Sequence, residues 1–192
     1  MLQISYSAEL KALLTPAERQ RQLIWVISTC IVLMLAAAGA IIAPDEPAIT
    51  PQNAANDIYL IIFHFIGIGL GVFSLIIRTY TYADRRILAV LSGQRMSVPG
   101  SITIPQEQAL WRLFRITGPV QMLGWIMNCL IMVTGVIATA YSGRLDTIYP
   151  FVFIALVLQI LSFPRFAPLA ARATGLMEQY ELHGERSGDQ ND

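Results

Sequence analysis

The sequence predicts an all-α integral membrane protein, a four-helix bundle with both termini on the cytoplasmic side, and three observations carry that expectation. Hydrophobic residues make up 55% of the 192 positions and charged residues 14%, with a mean hydropathy of +0.55. Soluble domains carry about a quarter charged residues, so a membrane is the first hypothesis. Four uncharged runs approach or exceed the roughly 20 residues that a helix needs to cross a hydrocarbon core of about 30 Å. Lys and Arg gather on alternate connections between these runs, as they do where cations near helix ends stay on the cytoplasmic side.

The elements follow in order. Residues 1–21 form a cytoplasmic N-terminal segment carrying Lys11, Arg19 and Arg21. The first span, residues 22–43, reads QLIWVISTCIVLMLAAAGAIIA and stops at Pro44; it is too long for the core of a signal peptide, and no cleaved leader is expected. Residues 44–57 form an exterior loop with Asp45, Glu46 and Asp57 and without Lys or Arg. The second span covers residues 58–77 and ends at Arg78. Residues 78–115 form a cytoplasmic Arg-rich loop, followed by the third span, residues 116–141, with a kink expected at Gly118-Pro119. A short exterior loop, residues 142–146, holds Arg144, and the fourth span covers residues 147–164. Residues 165–192 form a cytoplasmic tail with Arg165, Arg172 and Arg186.

The cytoplasmic segments carry amphipathic patterns. Tyr82, Ile87, Leu88 and Leu91 gather on one face, which predicts that the second span continues as an interfacial helix to about Gly93. The segment RMSVPGSITI alternates around Pro99-Gly100 and predicts a hairpin or extended turn. Pro105 suits the first turn of a helix, PQEQALWRLFR, that feeds the third span. In the tail, Phe166, Leu169, Ala173, Leu176, Met177 and Tyr180 recur at helical spacing before a polar end, GERSGDQND.

Within the spans the informative residues are small or neutral and polar. Steps of three and four place Leu60, His64, Gly67, Gly71, Ser74 and Arg78 on one stripe of the second span. Gln121, Gly124, Asn128, Gly135, Ala138 and Ser142 share a stripe of the third. The fourth offers Ala155, Gln159 and Ser162, and the first Ser28, Ala36 and Ala40. In lipid, where apolar burial gives helices little reason to associate, small residues let backbones approach and carboxamides bond across helices. His64, Gly67, Gly71, Ser74, Gln121, Gly124, Asn128 and Gln159 are therefore expected as packing or partner-binding residues. His64 is read first as an interhelical hydrogen-bond group. A haem would need a paired histidine, and the other one, His183, lies in the tail; a proton relay would recruit ionisable groups, and no Asp, Glu, Lys or Arg falls inside the four spans.

Arg85, Arg86, Arg95, Arg112 and Arg115 are expected to contact lipid headgroups or an acidic partner. Trp25, Trp111, Trp125, Tyr59, Tyr141 and Tyr149 fall mostly near span ends, where amphipathic rings prefer the interface. Cys30 and Cys129 lie inside apolar runs and read as small packing residues rather than a disulfide. A nucleophile with its base, a metal-ligand cluster and a carboxylate pair are all missing from the pattern, so no catalytic residue, metal or cofactor is expected. Four helices, an Arg-bearing central loop and an amphipathic tail resemble the layout of small bacterial inner-membrane proteins, including immunity proteins against pore-forming toxins. That resemblance is architectural and carries over no residue. The functional expectation is a non-enzymatic inner-membrane protein that binds another integral membrane protein, or a second copy of itself, and membrane lipids, with no nucleic-acid partner. The alternative is a small oligomeric channel or transporter with a pore lined by His64, Gln121, Asn128 and Gln159.

Overall fold

The computed structural model describes residues 7–42, 57–92, 98–100 and 102–188, the side chains of Ser92 and of residues 180–188 excepted. The expected exterior loop apart from Asp57, the helix end at Gly93, Arg95, and the side chains of Tyr180 and His183 therefore lie outside the described residues. Among those described, the chain is helical and contains no strand. The helices are α1 (Ala8–Ile42), α2 (Ile58–Thr81), α3 (Asp84–Ser92), α4 (Pro105–Ser142), α5 (Tyr149–Leu161) and α6 (Ala167–Gly188), with a 3-10 turn at Leu145–Ile148 ahead of α5.

Local chemistry sets these boundaries. Ser7 caps α1, its Oγ accepting the Leu10 N–H at 3.2 Å. Asp57 caps α2, its Oδ1 accepting the N–H groups of Tyr59 and Leu60 at 2.9 and 3.2 Å. Pro105 opens α4, where a missing N–H costs nothing. Gly143 closes α4 with φ 65°, donating its N–H to Thr139 O at 2.9 Å, a left-handed terminus that a Cβ would disfavour.

Three helices, α1, α2 and α4, are long and apolar enough to cross a membrane. The fourth expected span is shorter: α5 has 13 residues, opened by Pro150 and closed at Ser162 just before Pro164. At 1.5 Å per residue it rises about 20 Å. The N-terminal segment differs from expectation in the other direction. It is helical from Ala8 and continuous with the first span through Pro16, while α4 likewise runs unbroken through Pro119.

The chain divides into two compact units. The first draws on Met1–Arg21, Thr79–Val120 and Pro164–Asp192, the second on Gln22–Arg78 and Gln121–Phe163. The first unit has its own apolar core of Leu10, Leu14, Ile87, Ile102, Leu110, Leu113, Phe114, Phe166, Leu169, Ala170 and Ala173. The second span does not continue into the central loop as expected. The second helix stops at Thr81, and α3 starts afresh on the Ala83 carbonyl, which accepts the N–H groups of Arg86 and Ile87 at 3.0 Å. Its Ile87 is 0% exposed inside the unit's own core. Phe166, Leu169 and Ala173 of the tail enter the same core. Around Pro99-Gly100 the chain forms a turn rather than a hairpin, closed by the Ile102 N–H on Pro99 O at 3.0 Å.

The second unit packs around Val32, Leu60, Ile131, Met132, Ala138, Ile148, Phe151, Ala155 and Leu158. Its outside is as apolar as its inside. Among the described residues, every exposed large apolar side chain except Tyr80 and Ile104 belongs to this unit, Ile41 at 83% being the extreme. A surface of that kind suits lipid, whereas large contiguous apolar patches are rare on soluble monomers.

Candidate functional site

The expected polar and small residues of the spans converge inside the second unit. On α2, Leu60, Gly67, Gly71 and Ser74 are buried and His64 half-buried, so the stripe from the sequence is an inward-facing one. It meets α5: a Cβ on Gly67 would lie 2.5 Å from Phe151 Cε1, and one on Gly71 would lie 3.2 Å from Ile154 Cγ2. Gly135 of α4 touches the same ring, since its Cβ would lie 2.7 Å from Phe151 Cβ. The 2% exposed Phe151 ring is thus seated against two glycines from different helices. Gly69 differs, having nothing within 4 Å.

Among the described residues, the hydrogen bond that His64 makes lies within its own helix rather than across helices. Its Nδ1 donates to Leu60 O in its own helix at 2.7 Å, because an i−4 carbonyl lies one turn below and can only accept. Across the helix boundary it offers its ring instead, 5.1 Å from Phe151 between centroids.

The carboxamides are bonded as buried polar groups require. Asn128 Nδ2 donates to Gln159 Oε1 at 2.9 Å, and Gln159 Nε2 donates to Ser28 Oγ at 2.8 Å and Thr29 Oγ1 at 3.1 Å. The network ties α4, α5 and α1 together. Asn128 and Gln159 are 0% and 1% exposed, where an unmade bond would cost several kcal/mol in hydrocarbon. One atom stays unmatched: Asn128 Oδ1 is buried without a hydrogen-bond partner.

Two tryptophans complete the arrangement. Trp25 Nε1 donates to Gln159 O at 2.9 Å and Trp125 Nε1 to Ser162 O at 3.3 Å. Gln159 lies in the last turn of α5 and Ser162 is the residue that closes it, where helical partners run out. The sequence reading placed these rings at the interface; their donor role depends on where α5 ends, which composition does not reveal. Gln121 is half-buried and Gly124 buried on α4, with Ser74 Oγ 4.0 Å from where a Gly124 Cβ would stand.

The cations of the expected lipid or acidic-partner group are dispersed over the first unit. Arg85 and Arg115 are exposed; Arg86 and Arg112 are half-buried, Arg86 with its guanidinium carbon 4.6 Å from the Tyr80 ring centroid. Three further residues in this unit escaped the sequence reading. Glu107, 8% exposed, holds Ser7, and Glu18 Oε1 accepts the Phe166 N–H at 3.3 Å at the start of α6. Arg21 lies over the Phe114 ring, its guanidinium carbon 3.5 Å from the centroid. No local pattern marks these residues, because their partners are about 90 to 150 positions away in sequence. Among the described residues no group of three or more His, Cys, Asp or Glu could hold a metal ion. Comparison of this chain with protein-family models, curated proteins and solved structures gave no match.

Proposed function

We propose that this chain is a non-enzymatic polytopic protein of a bacterial inner membrane that binds another integral membrane protein, as an accessory subunit or an immunity-type protein. Its four apolar helices form the membrane bundle, and its termini and central loop face the cytoplasm. The apolar exterior of the second unit supports the membrane assignment. The cation distribution supports the orientation, and so does the shared compact unit formed by the N-terminal, central and C-terminal segments.

The observation that carries the binding reading is the mutual use of the polar groups: Asn128, Gln159, Ser28 and Thr29 bond to one another in the interior. A channel would need Asn128 and Gln159 turned to a lumen, which requires breaking their bond. The same packing moves the partner surface from the inner stripe of Gly67 and Gly71 to the outer face of α2, where Phe65 is 70% exposed and Gly69 is open. Mild detergent extraction followed by affinity isolation tests this. Gly69→Leu, at an exposed position where an added Cβ meets nothing within 4 Å, should leave accumulation unchanged and reduce the recovered partner. Undiminished partner recovery refutes the outer-face assignment, and ion flux from purified protein in liposomes, lost in Asn128→Leu, would favour the channel.

A further inference from the structure

We propose that Arg21 anchors a binding site for the phosphate of an anionic lipid headgroup. Arg21 is the last charged residue before the uncharged run that begins at Gln22. A chain threaded through a bilayer places that position at headgroup depth, so the inference rests on the membrane reading.

The guanidinium is held rather than free. Nη1 donates to Thr117 Oγ1 at 3.3 Å, Nη2 donates to Phe114 O, and the plane lies on the Phe114 ring. Gly118 makes the seat: a Cβ there would stand 2.7 Å from Nη2. A guanidinium carries five N–H donors, and these two bonds leave three. Nε is not among the buried, unbonded nitrogens, and the residue as a whole is half-buried.

No carboxylate forms an ion pair with Arg21 among the described residues. Glu18, one turn earlier, is engaged with the Phe166 N–H. A half-buried, always protonated cation fixed by neutral dipoles, on which Glu18 acts only from beyond pairing distance, can take an anion, and the planar fork matches phosphate oxygens.

The test is the thermal unfolding midpoint of the detergent-purified full chain, with phosphatidylglycerol, phosphatidylcholine or inorganic phosphate added. Phosphatidylglycerol should raise the wild-type midpoint, as any ligand selective for the folded state does. Arg21→Gln should lose that rise, and Arg144→Gln should keep it. If Arg21→Gln is not recovered folded, Gly118→Ala, whose methyl displaces the guanidinium, should lose the rise in its place. An equal rise in the variant that displaces or removes the guanidinium overturns the site, and an equal rise with inorganic phosphate assigns it to a free anion and overturns the lipid. Carbonate extraction of membranes separates the two failures. A protein released by carbonate refutes the membrane reading and this site together, whereas a retained protein without an Arg21-dependent rise refutes only the site.

Discussion

Glu107 on α4 grips Ser7 at the start of α1 with both carboxylate oxygens, Oε1 accepting the Ser7 N–H and Oε2 the Ser7 hydroxyl, each at 2.6 Å. The hydroxyl oxygen in turn accepts the Leu10 N–H. A single buried acid therefore fixes the cap of a helix that precedes it by 100 residues, and its charge also sits at the positive end of that helix. Glu107→Ala should destabilise the protein by about 1.5–3 kcal/mol, the range for hydrogen bonds to a charged group. Ser7→Ala should cost about 1 kcal/mol as a lost cap. Chemical unfolding in detergent measures both, and the double variant should cost less than the sum because the two residues share one interaction.

Phe151 sets the second expectation. Gly67→Ala and Gly135→Ala each drive a methyl to within 2.5–2.7 Å of this side chain. Each should cost about 1–3 kcal/mol by overpacking. Gly69→Ala, with nothing within 4 Å, should match or slightly exceed wild type, because alanine is about 1 kcal/mol the better helix former. Thermal midpoints of the three variants in one detergent decide it; equal losses at Gly67 and Gly69 would refute the packing account.

The carboxamide pair gives an asymmetric outcome. Gln159 serves Asn128, Ser28 and Thr29, whereas Asn128 makes one bond and keeps an unmatched buried oxygen. Gln159→Leu should therefore cost more than Asn128→Leu, the latter staying near the 0.6–2 kcal/mol typical of intramembrane hydrogen bonds, on the order of one bond lost. The ranking is read from the unfolding midpoints of the two single variants.

Arg144 and Asp146 form an exposed bidentate pair, at 3.1 and 2.5 Å. The hydrogen bond from Arg144 holds the Asp146 carboxyl below the usual carboxylate range. A depressed folded-state value means that whatever stability the pair contributes is present above the unfolded value of about 4 and is lost as pH falls through the lower, folded value. Solvent screening keeps that contribution small. Asp146→Asn should leave the unfolding midpoint unchanged at neutral pH and physiological salt, and a clear loss would refute the screened, exposed description.

Much of the second unit was legible in the sequence because an apolar helix with few polar residues offers a simple code. The stripe at Gln121, Gly124, Asn128, Gly135, Ala138 and Ser142 turns inward: Gln121 is half-buried and the other five are buried. A helix whose other side chains are apolar has few ways to place a carboxamide except against another polar group. Phe151 was not legible, since nothing in one large apolar residue announces that two distant glycines will accept it. The packing of the first unit was not legible, because amphipathic faces state that they need cover without stating which cover. Leu10, Leu13, Leu14 and Ala17 already carried a helical period ahead of the first span, and that signal could have extended α1 back to Ala8.

The first unit draws its core from the beginning, middle and end of the chain, with Leu10, Leu113 and Ala173 in one cluster. A ribosome delivers these pieces in that order, so the earlier two hold an unfinished apolar surface until α6 emerges. Closure of this core therefore waits on α6. A chain lacking α6 would present Leu113 and Phe114 to the proteases and chaperones that patrol for such surfaces, and α6 acts as the seal on this unit.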